Sequence, residues 1–384
     1  MRTRIALVEN FGLDFLNFRV PLVKFLEQKG YEVYTIIPDD KYCERVKESG
    51  VKVLTYRLKK NTLSPVSFIG SLRKVKYYQK EFSFSIIHSF RLQPNIITSL
   101  AFLFNKKIKI INHITGLGFA FSGKSFTAFF YRLTILFLYQ ISSFFSDKII
   151  VQNSTDLKIV SKLLYASGKL IMIEGSGIDQ DKFSRSKADP VHVSRLMNKI
   201  SFKPGEVVVT FTGRLLLEKG ILEFLTAAGN ISRQSTRFRF VIAGMFDINN
   251  PSCISPEHLG KFTKNNVVTY LGEINEIREL LYITDIFVLP TYREGFPRSV
   301  LEAMAMRVAV ITTDVPGARD AVTDNLNGLI VTPRDIPALE NAILRLAYDE
   351  VLRKKLGDNG LYLVRDKYNS LQIFNKILNV YQTI

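Results

Sequence analysis

Cysteine is nearly absent: Cys43 and Cys253 are the only two in 384 residues. That excludes a disulfide framework and a cysteine-built metal site, and it suits a reducing cytosol. A secretory signal is not expected either. The opening MRTRIALVEN runs straight into a strand-like apolar stretch, with no long apolar core followed by small residues. There is no short repeat and no low-complexity tract. Acidic residues are scarce in one region, where residues 41–110 hold 15 Lys and Arg against 3 Asp and Glu.

What is present is the composition of a folded chain, 47% hydrophobic and 23% charged, long enough for two domains each with its own core. The net charge of +17 is uneven. Lys and Arg outnumber Asp and Glu 26 to 13 over residues 1–180, but only 26 to 22 over 181–384. Basic patches lie at RLKK (57–60), RKVKYYQK (73–80) and NKKIK (105–109). A basic half implies an anionic partner: nucleic acid, a phospholipid surface or a phosphorylated substrate.

Short apolar runs alternate with helical patterns, which predicts parallel sheets covered on both faces, an α/β architecture. The runs are RIALVE (4–9), YEVYTII (31–37), VKVLTY (51–56), FSIIHS (84–89), IKIINHI (108–114), DKIIVQ (147–152) and KLIMIE (169–174). After a polar stretch at 179–190 the pattern restarts with EVVVTFTG (206–213), FRFVIAG (238–244), VVTYLG (267–272), DIFVLP (285–290), VAVITTD (308–314) and NGLIV (327–331). The segment 18–30 reads as one helix ending at Gly30, and 368–384 as an amphipathic terminal helix. Residues 125–145 are long and very apolar but carry Arg132, which is expensive at a bilayer centre. A buried or membrane-surface helix is expected there.

Two constellations carry chemistry. In FTGRLLLEKG (211–220) a strand ends at Gly213, and Arg214 and Lys219 follow. Two cations at the C-terminal end of a parallel strand suit a diphosphate, in the ground state and as a leaving group. In IFVLPTYREGFPRSVLEAM, Glu294 precedes a Gly295-Phe296-Pro297 turn, and Glu302 lies about a turn and a half inside the following helix. Amides of Gly295 and Phe296 would form a rim for an anion or hydroxyl, and two carboxylates suit vicinal hydroxyls of a polyhydroxylated ligand. The plainer reading of Glu302 is an internal ion pair with Arg298.

These motifs, Gly-Arg…Lys-Gly, a strand ending in Leu-Pro, and Glu-Gly-Phe-Pro…Leu-Glu-Ala, resemble the E-x7-E signature of retaining nucleotide-sugar glycosyltransferases of family 4. The resemblance runs over essentially the whole chain, and its flanks look like the branch that builds capsule, O-antigen and N-glycan precursors on undecaprenyl diphosphate. It implies a GT-B fold: two Rossmann-like domains facing across a cleft, with the last helix crossing back to the first. The expected domains are 1–183, 184–367 and the returning helix 368–384.

The resemblance also implies roles. Glu294 would contact the donor sugar, Glu302 the ribose, and Arg214 and Lys219 the diphosphate. Gly272 and Ile274 would lie by the base, with Gly244 on the same side, and Gly12 would let the first turn approach the donor phosphates. A donor-sugar histidine of the family falls at Thr115 or, two residues earlier on the same strand face, at His113. Arg19, His88 and Arg91 are candidates for the acceptor side. Asp179-Gln180-Asp181 mimics a metal-binding DxD but reads as a solvated turn, so no metal or other cofactor is expected. The implied activity is retaining transfer of a UDP-sugar, most simply an N-acetylhexosamine, to a polyprenyl-diphosphate-linked acceptor. The expected site of action is the cytoplasmic face of the cell membrane, docked peripherally on anionic lipid, with no nucleic acid involved. Against it stand a GT-B UDP-sugar epimerase, an inverting transferase and a nucleic-acid-binding protein, none of which accounts for the glutamate motif.

Overall fold

The computed structural model describes residues 2–58, 65–103, 105–117, 126–163, 166, 168–248, 250–275 and 277–384. Lys59 and Lys60 of the RLKK patch, Gly118 after the fifth strand, and Ser125 before the apolar helix lie outside these residues. The chain forms two compact units. One comprises Met1–Glu174 together with Ile373–Ile384, the other Gly175–Gln372.

Among the described residues the first unit holds seven strands: β1 (Arg4–Val8), β2 (Glu32–Pro38), β3 (Lys52–Tyr56), β4 (Ile86–Phe90), β5 (Lys109–Ile114), β6 (Lys148–Val151) and β7 (Leu170–Met172). All pair in parallel, in the order β3-β2-β1-β4-β5-β6-β7. The register sets Ile5 beside Val33 and Ile86, which gives both sides of β1 a partner. Strand residues alternate between two covered faces. Ile5, Leu7, Val33, Ile37, Ile111 and Ile150 pack under the helices Val20–Gln28 and Ser370–Gln382. Ala6, Val8, Ile36, Ile87 and Ile110 pack under Pro65–Phe82 and Leu92–Ala101, and Ile114, Ile149 and Val151 continue that face under Phe126–Phe144 and Ser154–Leu163.

Apolar runs buried on both faces explain why each first-half sequence run became a strand. The segment 18–30 is helical as read, with Gly30 (φ 91°) just past the helix end. Its helix is Val20–Gln28, entered at Pro21, and a separate helix Gly12–Phe18 precedes it. Proline is tolerated in a first turn and not deeper, so the boundary falls where the missing amide costs nothing.

The second unit holds β8 (Val207–Thr212), β9 (Phe238–Ala243), β10 (Val268–Tyr270), β11 (Ile286–Leu289), β12 (Ala309–Thr313) and β13 (Leu329–Val331), also parallel, in the order β10-β9-β8-β11-β12-β13. Chain direction across the sheet reverses between β8 and β11, and in the first unit between β1 and β4. In a doubly wound sheet the loops leaving such a pair diverge to opposite faces and open a crevice at the carboxyl ends of the strands. Among the described residues no helix is long and apolar enough to cross a membrane.

Candidate active site

In the second unit the switch point is framed by the loop after β8 and the loop after β11, the two stretches that carry the sequence motifs. Gly213, Gly244 and Gly272 follow three neighbouring strands and are laced together. The Gly213 amide donates to Ala243 O at 3.0 Å, and the Gly244 amide to Gly272 O at 2.8 Å. A Cβ on Gly244, whose φ is 157°, would collide with the Gly213 carbonyl, so only glycine permits this approach. Ile274, just beyond, is partly buried against the cluster containing Leu271 and Leu280.

Lys219 ends the short 3-10 turn Leu217–Lys219, and its Nζ lies 2.6 Å from Glu294 Oε1. Arg214 Nη1 lies 2.8 Å from Asp247 Oδ2. The two cations expected to act together therefore each carry a carboxylate partner, and one of those partners is itself a motif glutamate. Asp247 was not anticipated as the partner of Arg214.

The loop holding Glu294 is fixed from several sides. Its amide donates to Pro316 O at 3.0 Å, while Tyr292 N and Thr291 Oγ1 donate to Glu218 O at 2.8 and 2.9 Å. Gly317 (φ 81°) lies against the loop, and a Cβ there would collide with the carbonyl oxygens of Glu294 and Gly295. The Tyr292 hydroxyl donates to the Glu223 carboxylate, and Arg334 sits 4.5 Å over its ring. Burial first, then Glu223, pushes the phenol up to about 12.

The helix Arg298–Ala305 follows, with Pro297 as its N-cap in extended conformation (ψ 101°). Phe296 turns its ring inward, nearly buried, and meets Tyr368 edge-on at 5.1 Å. Glu302 Oε1 accepts from Arg298 Nε at 2.9 Å, and Arg298 also donates to Ser176 Oγ and Gly177 O at 3.3 and 3.2 Å. The internal ion pair is thus real, and it is what offsets the cost of a carboxylate in this mostly buried position. Asp179 and Asp181 are exposed, in a turn closed by the amides of Asp181 and Lys182 on Asp179 Oδ1, both at 3.0 Å.

The first unit collects the remaining candidates around its own switch point. His113 in β5 is fully buried. Its Nδ1 lies 3.3 Å from His88 Nε2 and its Nε2 lies 3.2 Å from Gln152 Nε2. His88 Nδ1 continues the chain to the Tyr381 hydroxyl at 2.6 Å. Burial holds both imidazoles well below the usual histidine range. Thr115, partly buried, lies just past the strand end.

Arg19 and His88 need correcting as acceptor contacts. His88 sits inside β4, not at its end, and Arg19 is buried with its guanidinium 3.7 Å over the Phe90 ring. Of the three residues expected there, Arg91 alone reaches solvent, and it ion-pairs with Asp14 and, at 3.3 Å, with Glu9. Glu9, wholly buried, also faces Arg19 at 3.6 Å; burial raises its carboxyl, against the pull of Arg91 and then Arg19. A carboxylate closing an apolar strand was the one signal available for it. The amide of Gly12 donates to Asp40 Oδ2 at 2.8 Å, so the close approach at this turn is made by a carboxylate of the same unit.

Comparison with known proteins completes the picture. Residues 193–361 match the family described as Glycosyl transferases group 1, and residues 4–153 match Glycosyl transferase 4-like. The chain is 30% identical, over 93% of its own length and 93% of the relative's, to the N,N'-diacetylbacillosaminyl-diphospho-undecaprenol alpha-1,3-N-acetylgalactosaminyltransferase of Campylobacter jejuni. It is 23% identical, over 94% of each, to the UDP-Gal:alpha-D-GlcNAc-diphosphoundecaprenol alpha-1,3-galactosyltransferase of Escherichia coli. Its fold is similar to that of Anabaena Alr3699/HepE in complex with UDP and glucose, with a TM-score of 0.83, 16% identity and full coverage of both chains. It is also similar to Thermosynechococcus elongatus sucrose-phosphate synthase, with a TM-score of 0.82, 20% identity, and 100% and 99% coverage. Two parallel Rossmann-like units, a motif loop at the second unit's switch point, and a relative matched over nearly its whole length lead to one conclusion: the chain is a glycosyltransferase of the group 1 family, with the GT-B fold.

Proposed function

We propose that this chain moves a sugar of the N-acetylhexosamine class from a UDP-sugar to a glycan carried on a polyprenyl diphosphate, with retention at the anomeric carbon, in assembly of a surface polysaccharide or glycan precursor. The observation that carries this reading is the Lys219–Glu294 contact, 2.6 Å between loops that bracket the switch point of the second unit. It offers a cation for a phosphoryl oxygen beside a carboxylate for sugar hydroxyls. The names of the Campylobacter and Escherichia relatives, both given for undecaprenyl-diphosphate-linked acceptors, support the acceptor class.

In this scheme the anomeric C–O bond breaks with its electron pair going to the diphosphate, whose charge Lys219 and Arg214 offset. The acceptor hydroxyl oxygen bonds the anomeric carbon from the same face, and its proton passes to a departing phosphoryl oxygen. The protein contributes positioning and charge, with no side-chain nucleophile, and the two cations take the part a divalent metal plays in other transferases. Glu302 holds the ribose hydroxyls, and the chain between Gly213, Gly244 and Gly272 receives the nucleotide. The enzyme works at the cytoplasmic face of the membrane that holds its acceptor.

A panel of UDP-sugars assayed with membrane-extracted polyprenyl-diphosphate acceptors tests this, with the product's anomeric configuration read by NMR. The expected result is consumption of one UDP-N-acetylhexosamine with an α-linked product. No consumption of any UDP-sugar with any such acceptor overturns the acceptor class, and an inverted product overturns the front-face scheme.

A further inference from the structure

The helix Phe126–Phe144 is built in two halves. Ile135, Tyr139, Ser142 and Ser143 are buried against the first unit's sheet and its neighbouring helix, with Ser142 Oγ donating to Asn95 O at 3.1 Å. On the other side Phe130, Leu133, Phe137 and Phe144 are 54, 46, 65 and 55% exposed. At 100° per residue these four positions fall within an arc of about 60°, so they form one straight stripe. Arg132 is the helix's only charged residue, and it lies off the stripe. Four large apolar side chains in a row on an outer surface are unusual for a chain that meets only water.

The surroundings say what covers them. The helix Leu92–Ala101 packs against both Phe126–Phe144 and Pro65–Phe82, and all three cover the same face of the sheet. Pro65–Phe82 carries four basic residues against one acidic, and Lys74, Lys76 and Lys80 are exposed, with Val66 and Tyr77 exposed among them. A further cation, Lys169, donates to the carbonyls of Ser143 and Phe144 at 3.1 Å, at the end of the stripe. An apolar row whose side chains carry no acceptor or donor, on a layer of helices that also exposes lysines one helix away, lacks the paired polar groups of a protein interface. It has the two ingredients of interfacial lipid binding, apolar insertion and attraction to anionic headgroups.

We infer that the Phe130–Leu133–Phe137–Phe144 stripe inserts into the headgroup boundary of an anionic bilayer, with Lys76 and Lys80, which share one face of their helix, on the lipid phosphates. The inference deepens the reading of a membrane-held acceptor and rests on it for its purpose, but vesicle binding can be measured without any transfer. Because the packed face of the helix cannot leave the sheet, the seating is shallow and parallel to the membrane.

The chain has no tryptophan, so Phe137→Trp places a single reporter on the stripe of the full-length protein. With phosphatidylglycerol/phosphatidylethanolamine vesicles its emission should shift to the blue and be quenched by lipid brominated near the headgroup, with much weaker effects on phosphatidylcholine. Leu133→Glu with Phe137→Glu should lower partition onto anionic vesicles at least about tenfold, with unchanged circular dichroism and unchanged transfer to a water-soluble acceptor. Lys76→Glu with Lys80→Glu should also lower it, by a factor that grows as salt falls. Flotation of the Phe137→Trp protein with unshifted emission overturns the inference, as does wild-type partition by the variant with Leu133→Glu and Phe137→Glu. A dimer that this variant dissociates overturns it in favour of a second copy. Failure of transfer with every acceptor, alongside intact vesicle binding, would sink the proposed function and leave this inference standing.

Discussion

The hydroxyl of Tyr381 and Nδ1 of His88 lie 2.6 Å apart, both fully or nearly buried, and join the C-terminal helix to β4 across 293 residues of sequence. The contact continues through His113 to Gln152. With the Gln152 amide donating to His113 Nε2, the His113 proton sits on Nδ1 and is given to His88, whose own proton then faces the phenol oxygen. One direction of donation satisfies the whole row with both imidazoles neutral.

Tyr381→Phe removes the last partner and leaves a buried imidazole nitrogen unsatisfied. A loss of about 1–3 kcal/mol is expected, read as a shift in urea midpoint with unchanged slope. A variant as stable as the parent would mean that the phenol does not hold this end of the row.

Acid should weaken the first unit through the same pair. Burial holds the folded values of His88 and His113 well below 6.5. Once the pH falls below the unfolded value of about 6.5 the unfolded chain binds protons that the folded one does not. Their contribution is therefore complete above that value and is lost as pH falls, by up to about 1.4 kcal/mol per pH unit for each. Glu9, raised by burial, acts in the opposite sense further into acid, where the folded state holds the proton. Urea midpoints measured from pH 8 to pH 5 should fall, and replacing both histidines by glutamine should flatten the slope between pH 7 and 5.5.

Lys219→Ala and Glu294→Ala should each lower kcat by about a hundredfold or more, with circular dichroism unchanged. Because the two side chains touch, the double variant should lose less than the product of the single losses. Near-normal turnover in either single variant would remove the site assignment.

Gly317→Ala tests how the Glu294 loop is held. The new methyl meets the carbonyls of Glu294 and Gly295 in a left-handed conformation, so a destabilisation of about 1–3 kcal/mol is expected. Turnover should fall with it as the carboxylate is displaced. Loss of stability with full kcat would show that the loop tolerates the shift.

Glu302→Gln separates the nucleotide role from the ion pair with Arg298. If the carboxylate holds ribose, KM for the UDP-sugar should rise about tenfold, more than in Arg298→Lys. Equal, small effects of both on KM would leave Glu302 as a helix ion pair only.

The thirteen strands among the described residues were all readable from apolar runs, because parallel strands covered on both faces leave an unbroken apolar signature. So were the terminal helix and the glutamate motif. The partners of the motif residues were not. Lys219 and Glu294 are 75 residues apart, and Arg214 finds its carboxylate 33 residues on, at Asp247. Likewise the histidine at the end of an apolar run looked like a strand-end residue, and the register buried it.

Local patterning was enough to specify the elements, since periodicity and turn residues act over a few positions and each run could satisfy its own backbone only as a strand or a helix. Which loops share a switch point, which carboxylate meets which cation, and which side of the helix Phe126–Phe144 stays uncovered depend on strand order. That order is set by the packing of whole layers, which no short stretch encodes.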